Sequence, residues 1–481
     1  MFDLRPVLFY TGLTISLLAL AMAAPALIDL AHGNADWRIF AASGGVSLFL
    51  GLLLLAGNRV RNFDELSVRQ IFLVTVSCWT AAALAASFPF AFSALKMSAA
   101  DAIFEAASGI TATGSTVLRD LAVKPPGILL WRSLLQWLGG AGFLITGVVL
   151  LPALNVGGMQ LFQLGTVGER GLPRSAKVAM HLLAIYMALT ALLTALLWAA
   201  GMSRFPALLH AMSTISCGGF STADGSIGAW RNPNIDWIIL VGMLLGGAPF
   251  ILYLHVVQRR WRLALRNSQL RWYLSLLVLA SVGIGLWLLL TQGAKPLPAL
   301  RHGLFTAVSV MTGTGYATLD WGRWSGLPVV ILFFLAFVGG CAGSTAGGIK
   351  VFRFQILLEN ARIQLIRMLR PNAMVSAGYQ GVPISDVVTG SVLAFLFVYA
   401  LSFAALSMVL GLLGLDFLSA ISAAASALAN LGPGLTEAVG PTAGYAALPD
   451  TAKWLLSGAM VFGRVEMFAV LVLFTENFWR P

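Results

Sequence analysis

The stretch PALRHGLFTAVSVMTGTGYAT, residues 298–318, decides the fold of this chain of 481 residues. It begins as an apolar helix and then changes into a tract of threonine and glycine. A helix that crosses a membrane needs about 20 apolar residues. This apolar helix is too short to cross. The stretch therefore predicts a re-entrant half-helix that stops inside a membrane and continues as a loop.

Three further stretches have the same design, and each lies between two long apolar segments. They are AADAIFEAASGITATGST at 99–116, PALLHAMSTISCGGFST at 206–222 and FLSAISAAASALANLGPGL at 417–435. Glycines in the four tracts recur about every 100 residues, which is typical of internal repeats. These glycines are Gly114, Gly218, Gly315 and Gly432. The pattern predicts a pseudo-symmetric assembly within one chain.

The composition places this assembly in a membrane. Hydrophobic residues make up 58% of the chain and charged residues only 10%, more apolar than a soluble domain can bury. The net charge of +11 would favour nucleic acid as the partner of a soluble protein. Here the basic residues form short runs between apolar segments, such as the run at 259–266, so we expect no nucleic-acid partner. This positive-inside pattern predicts a multi-pass protein with both termini in the cytoplasm.

Segments long enough to span the membrane number ten, and an even number agrees with both termini on one side. They are predicted at 7–30, 38–57, 68–93, 127–152, 177–200, 235–257, 270–292, 325–350, 385–414 and 454–475. The predicted fold class is an all-α polytopic membrane protein with four pseudo-symmetric helix–pore-helix–filter–helix repeats around one central pore. An extra N-terminal transmembrane helix pair is expected at 1–65, followed by repeats at 66–153, 154–258, 259–383 and 384–481.

The four tracts have the chemistry of a cation filter. Non-helical backbone at membrane depth is stable only where protein or a water-filled cavity satisfies it. Carbonyl oxygens that face one axis can replace the hydration shell of a cation, and glycine supplies the positive φ angles that such a row requires. Each half-helix also directs the negative end of its dipole at the membrane centre. We therefore expect a pore that prefers cations.

The tract sequences TATGST, SCGGFST, GTGYAT and NLGPG resemble the filters of the Trk/Ktr/HKT superfamily of potassium transporters, and most closely the bacterial TrkH-type potassium uptake subunit. The resemblance covers nearly the whole chain, including the extra helix pair. Family members with serine at the first tract glycine tend to admit sodium, so Gly114 implies potassium. The fourth tract departs most, because Asn430, Leu431 and Pro433 carry no hydroxyl group. The resemblance implies a potassium filter lined by Thr111, Ala112, Thr113, Gly114, Ile215, Ser216, Cys217, Gly218, Thr312, Gly313, Thr314, Gly315, Ala429, Asn430, Leu431 and Gly432.

A second glycine-rich segment, GGCAGSTAGGIK at 339–350, interrupts the eighth apolar segment. Its glycines break a helix, and the resemblance assigns an intramembrane gating loop to this position, just below the filter. A simple hinge in a long helix is the alternative. The gate residues expected are Gly339, Gly340, Gly343, Ser344, Thr345, Gly347, Gly348 and Lys350, together with Arg464.

Arg464 is predicted near the middle of the last span, where an arginine costs about 2.5–3.5 kcal/mol by insertion scales. It must therefore face protein or water. Carbonyl groups of the loop are expected to be its partners rather than Glu466, because residues two apart on a helix point away from each other. Its charge would also repel cations below the filter. A purely structural arginine is the alternative.

Two other groups of charged residues each allow two interpretations. Asp101 and Glu105 share a face of the first half-helix, so they either concentrate cations at the outer mouth or, with Ser98, form a capping box. The basic segments 259–266 and 350–370 either lie on lipid headgroups or dock a cytoplasmic partner.

The sequence favours potassium uptake across the bacterial inner membrane, with K⁺ as the transported ion. The alternatives are a secondary carrier with inverted repeats and a midplane substrate site, and an intramembrane enzyme. The enzyme would need paired ionisable groups at membrane depth, and Arg464 with Glu466 is the only such pair the sequence indicates. Without a nucleotide-binding or catalytic motif, we expect neither an enzyme nor a bound nucleotide. The resemblance alone implies a homodimer and a cytosolic nucleotide-binding regulatory ring protein of the TrkA type.

Overall fold

The structure is a computed structural model, and it describes residues 3–58, 66–149, 158, 172–372, 378–380 and 382–480. The regular secondary structure of the described residues is helical, apart from two antiparallel strands of two residues each, in which Gly378–Tyr379 pairs with Val382–Pro383. The predicted all-α fold class is confirmed. The predicted boundaries after residues 65 and 153 lie outside the described residues.

An N-terminal pair and four units follow one another along the chain. The first span of the pair consists of α1 (Arg5–Ala21) and α2 (Ala23–Ala31), and the second is α3 (Trp37–Gly57). The first unit comprises α4 (Val68–Phe92), α5 (Ala99–Ile110) and α6 (Pro126–Val149), and the second α7 (Leu172–Ala199), α8 (Arg204–Ile215), α9 (Pro233–Gly247) and α10 (Phe250–Val257). The third comprises α11 (Trp261–Arg266), α12 (Ser268–Thr291), α13 (Pro296–Thr312), α14 (Leu327–Val338) and α15 (Val351–Leu369). The fourth comprises α16 (Asp386–Leu412), α17 (Phe417–Ala429), α18 (Asp450–Arg464), α19 (Met467–Leu471) and α20 (Glu476–Trp479).

The half-helices are α5, α8, α13 and α17, and each packs against the long helix that precedes it: α4, α7, α12 and α16. Side-chain caps fix the first turns of α5 and α17. The Asp101 N–H donates to the Ser98 hydroxyl at 3.1 Å, and the Ser419 N–H donates to the Asp416 carboxylate at the same distance. Such N-caps satisfy a backbone donor that the helix leaves free. These caps define where α5 and α17 begin.

Seven of the ten predicted spans are long and apolar enough to cross a membrane without a sharp bend. The other three differ from a single straight helix. The sixth bends by 97° between α9 and α10, where Pro249 cannot continue the hydrogen-bond ladder. The tenth bends by 109° between α18 and α19, where Glu466 takes a φ of 65°. The eighth ends as a helix at Val338, and the loop 339–350 follows as predicted.

The outward faces of the long helices are apolar, which is the reverse of a soluble protein. Leu279, Phe397 and Leu412 are among the large side chains that are 70% or more exposed. The half-helices and tracts are buried instead, with polar groups such as Ser108 and Thr312 at 0% exposure. Lipid is the medium that suits this surface.

Candidate functional site

The four half-helices end in the same backbone turn. Near the end of each half-helix, the backbone carbonyl oxygen of a serine accepts a hydrogen bond from the N–H of the fifth residue after it. The four bonds are Thr113 to Ser108 at 2.9 Å, Gly218 to Ser213 at 2.8 Å, Thr314 to Ser309 at 2.9 Å and Leu431 to Ser426 at 2.9 Å. This turn defines which residues of the four tracts are equivalent.

The φ angles confirm that equivalence and correct one prediction. Two positions in every tract have a positive φ: first Ala112, Cys217, Gly313 and Asn430, then Gly114, Gly219, Gly315 and Gly432. Gly219, at +79°, is therefore the partner of Gly114, Gly315 and Gly432, and the prediction of Gly218 was wrong by one residue. A position with a positive φ favours glycine, because a β-carbon there would crowd the backbone. The second tract accordingly runs from Ser216 to Gly219 instead of from Ile215 to Gly218.

The four tracts close into a ring. A side chain on any of the equivalent glycines would collide with a carbonyl oxygen of the next tract. The carbonyl oxygen that it would meet is that of Gly218 for Gly114, Thr314 for Gly219, Leu431 for Gly315 and Thr113 for Gly432. The tracts therefore follow one another in chain order, and the fourth returns to the first. Glycine at these positions permits the close approach.

A cavity of about 50 Å³ lies against one side of this ring, which we call the mouth side. All four tracts contribute to its wall, through Gly114, Gly219, Gly315 and Pro433. Asp224, which is exposed, also lines it. The mouth side is thus an opening shared by the four units.

The tract carbonyl groups differ in how they are satisfied. The Gly432 oxygen accepts from the hydroxyls of Ser115, Ser426 and Tyr445, and the Gly218 oxygen accepts from Gln136 at 2.7 Å. The other carbonyls of the predicted lining, Ile215 excepted, accept no hydrogen bond from the described part of the chain. Buried carbonyl groups require a partner, and cations or water can supply it.

The fourth tract also differs in its side chains. The Thr111 and Thr113 hydroxyls lie 2.6 Å apart in the first tract, and the Thr312 and Thr314 hydroxyls lie 2.8 Å apart in the third. In the fourth tract Asn430 donates through its amide to Thr113 at 2.9 Å. The amide therefore ties the fourth tract to the first.

A buried ion pair supports the ring from behind. Arg132 on α6 bonds Glu105 on α5 at 2.7 Å, and it also donates to the Ser221 carbonyl at 3.0 Å. One turn later Gln136 accepts from the Phe220 N–H at 3.1 Å. These contacts fix the second tract against the first unit. Arg132 and Gln136 were not predicted from the sequence, although two polar residues four apart in an apolar span share a face and are expected to have a function.

The same contacts decide the open question at the first half-helix. Glu105 is fully buried and paired, so it does not concentrate cations at the mouth. Asp101 bonds Lys453 at 2.6 Å, while Ser98 caps the helix. The expectation that Arg464 and Glu466 are the only ionisable candidates at membrane depth was also wrong, because the Arg132 pair is buried there.

The loop 339–350 lies directly against the other side of the ring. The Thr345 hydroxyl donates to the Ile215 carbonyl at 2.8 Å and lies 3.1 Å from the Gly246 carbonyl oxygen. Gly347 packs so closely on the Ala429 carbonyl that a side chain there would collide with it, and its N–H lies near Gly313. The loop thus touches the second, third and fourth tracts.

Arg464 holds this loop. Its guanidinium donates to the Thr345 carbonyl at 3.1 Å and stacks 4.1 Å from the Phe143 ring centroid. Lys350 donates to the adjacent Ala346 carbonyl and lies 5.2 Å from the same ring. The expectation of a loop partner agrees with this geometry. Arg464 is the last residue of α18, so it lies at the 109° bend that divides the tenth span.

Four half-helices that close a ring of glycine tracts over an intramembrane loop define a pore-type membrane transport protein. A family model described as "TrkH: Cation transport protein" matches residues 40–480. The Trk system potassium uptake protein TrkI of Halomonas elongata is 38% identical over 99% of this chain and 97% of its own length. TrkH of Salmonella typhimurium is 36% identical over 99% of both chains.

The fold agrees with these similarities. The crystal structure of the potassium transporter TrkH from Vibrio parahaemolyticus matches with a TM-score of 0.92 and 35% identity, over 100% of both chains. The chain belongs to the TrkH family of cation transport proteins. It is therefore a transport protein and not an enzyme, and the resemblance seen in the tract sequences is confirmed.

Proposed function

We propose that the chain takes up potassium across the bacterial inner membrane, through a filter that the four tracts form. The closed ring carries this proposal, because it brings together four tracts in which most carbonyl groups accept no hydrogen bond from the described residues. Carbonyl groups without side-chain charge suit a monovalent cation. The relatives named as potassium uptake proteins support K⁺ as that ion.

The filter residues in this proposal are those of the sequence analysis, with one change. The second tract contributes Ser216 to Gly219, and Ile215 leaves the filter because its carbonyl accepts from Thr345. Gly432 contributes less than its equivalents, because three hydroxyl groups already occupy its carbonyl oxygen. The four tracts therefore contribute unequally to the filter.

The loop 339–350 and Arg464 form the gate in this proposal. The loop occupies the space below three tracts, and Arg464 places a buried positive charge beside it. A cation leaving the ring meets both an obstruction and a repulsive charge. Movement of the loop away from Ile215 and Ala429 would open the path.

The side assignments and partners also belong to the proposal. The positive-inside pattern supports cytoplasmic termini, with the mouth side outside. The name "Trk system", which the relatives carry, supports a partnership with other components. A homodimer and a cytosolic nucleotide-binding ring protein are what the family resemblance suggests.

The experiment is ion flux into liposomes that contain the purified protein alone, with gradients of K⁺, Na⁺ and H⁺ imposed in turn. We expect K⁺ flux down its own gradient that exceeds Na⁺ flux. Uptake of K⁺ against its gradient, driven by H⁺ or Na⁺, would favour the carrier alternative. No K⁺ flux from folded protein, even after removal of the loop, would contradict the proposal.

A further inference from the structure

Two helix breaks meet at the loop. The eighth span stops at Val338 and resumes as α15 at Val351, and the tenth breaks between Arg464 and Met467. At each break a charged residue takes a left-handed backbone conformation: Lys350 has φ 79° and Glu466 has φ 65°. Residues other than glycine adopt this conformation at a cost, so the surroundings must hold it in place.

Arg353 and Glu466 join the two breaks. Arg353, on the first turn of α15, donates to the Glu466 carboxylate at 2.8 Å. The two side chains are 0% and 9% exposed. Arg353 also donates to the Ile349 carbonyl at the end of the loop at 2.9 Å and lies 3.7 Å from the Phe395 ring centroid. One guanidinium thus contacts the loop, α16 and the break of the last span.

Glu466 is two residues after Arg464. The Arg464–Thr345 contact and the Arg353–Glu466 contact therefore lie on either side of the same bend. Arg464 contacts the loop at Thr345, and Glu466 contacts the helix that follows the loop. If Glu466 turned away, the bend after α18 would lose its ion pair with α15. A buried ion pair of this kind also resists separation, because each charge would remain unpaired.

We propose that the Arg353–Glu466 ion pair is a second contact of the gate, in which both are positioning residues that keep Arg464 directed at the loop. The pair couples the break of the last span to the start of α15. Loss of the pair therefore releases the loop without any change in the loop itself. This inference rests on the proposed gate.

The test compares Glu466→Gln and Arg353→Gln, each alone and combined with Arg464→Ala, by K⁺ flux per folded molecule in liposomes. We expect each single variant to raise flux by about fivefold or more, the lower end of typical coupling between sites. In the Arg464→Ala background Glu466→Gln should not add to the increase, because the residue that it positions is gone. Arg353→Gln also removes the bond to the Ile349 carbonyl of the loop, so Glu466→Gln is the decisive variant in this background. Arg362→Gln, on the same helix but in an exposed pair with Glu359, is the matched control and should match wild type.

Modification of Cys341, which is fully buried in the loop, gives a readout that does not depend on flux. A thiol reagent should label Cys341 faster in Glu466→Gln than in wild type, as read by peptide mass spectrometry. If Glu466→Gln does not fold, Glu466→Asp keeps the charge with a shorter reach and should change both readouts in the same direction by less.

The outcomes separate this inference from the gate itself. Higher flux in Arg464→Ala with wild-type flux and labelling in Glu466→Gln would overturn the ion-pair proposal and leave the gate intact. The ion-pair proposal would also be overturned if Glu466→Gln and Arg464→Ala multiplied their effects, because the two residues would then act independently. Unchanged flux and Cys341 labelling in Arg464→Ala would overturn the gate.

Discussion

The guanidinium of Arg464 donates a hydrogen bond to the carbonyl oxygen of Thr345, 3.1 Å away and 119 residues earlier in the chain. Thr345 in turn donates through its hydroxyl to the Ile215 carbonyl, just before the second tract. One residue therefore links the buried arginine to the ring. The Nε and second terminal nitrogen of Arg464 are buried without a hydrogen-bond partner in the described structure. The arginine is consequently held by one hydrogen bond and by its aromatic contacts.

We expect Arg464→Ala to raise K⁺ flux in liposomes without a regulatory partner, because it removes both the hydrogen bond and the repulsive charge. Arg464→Gln should give an intermediate flux if its amide still reaches the Thr345 carbonyl. The measurement is flux per folded molecule. Wild-type flux in both variants, with lower yield, would make Arg464 a structural residue only.

A cross-link between Thr345→Cys and the native Cys217 should lock the gate. The Thr345 hydroxyl lies 3.3 Å from the Cys217 sulfur, so the two thiols would be neighbours. In the Arg464→Ala background, an added oxidant should abolish the elevated flux, and a reductant should restore it. Thr345→Ser is the control, since it cannot form the bond. Continued flux after complete cross-linking would show that the loop does not obstruct the path.

Gly218 and Gly219 provide a test of the register of the second tract. A side chain at Gly219 meets the Thr314 carbonyl and must adopt a positive φ, which costs about 1–2 kcal/mol for a residue other than glycine. At Gly218 the three nearest atoms that a side chain would meet all belong to the Gln136 side chain. Gly219→Ala should therefore reduce K⁺ flux per folded molecule more than Gly218→Ala. The reverse order would restore Gly218 as the equivalent of Gly114.

The Arg132–Glu105 pair should make a large contribution to stability. Glu105→Gln leaves a buried arginine without its counter-charge, which costs about 3–5 kcal/mol. Thermal unfolding in detergent should show a clearly lower midpoint, with the exposed pair variant Arg362→Gln close to wild type. An unchanged midpoint for Glu105→Gln would mean that the charge of Glu105 does not support the ring.

Local sequence was sufficient for the half-helices, the tracts and the loop, since each is a short apolar helix or a cluster of glycines between long spans. The loop was also predicted as the partner of Arg464, but the helical argument against Glu466 does not apply, because the helix ends at Arg464. The register of the second tract needed a different signal. Two adjacent glycines are equally good candidates there, and only the distance from the preceding serine separates them. Ser108, Ser213, Ser309 and Ser426 each precede the equivalent glycine by the same number of residues.

The ion pairs between residues far apart in the chain could not be predicted from the sequence. Arg132 and Glu105 are 27 residues apart, and Arg353 and Glu466 are 113 apart. No spacing rule connects residues on different spans, so their pairing depends on how the units pack around the ring. The bend at Pro249 is different, because a proline inside an apolar span is itself a signal of a break.

The most direct test of the central claim uses a variant without residues 345–347, from which the obstruction below the ring has been removed. Its K⁺ and Na⁺ fluxes are measured in liposomes, with and without Gly114→Ser. We predict a K⁺ flux above wild type with the preference for K⁺ over Na⁺ retained, because the ring is intact. Gly114→Ser should then admit Na⁺, since a side chain there collides with the Gly218 carbonyl and disturbs the ring. Folded protein whose flux does not rise, or whose preference for K⁺ is unchanged by Gly114→Ser, would contradict the account.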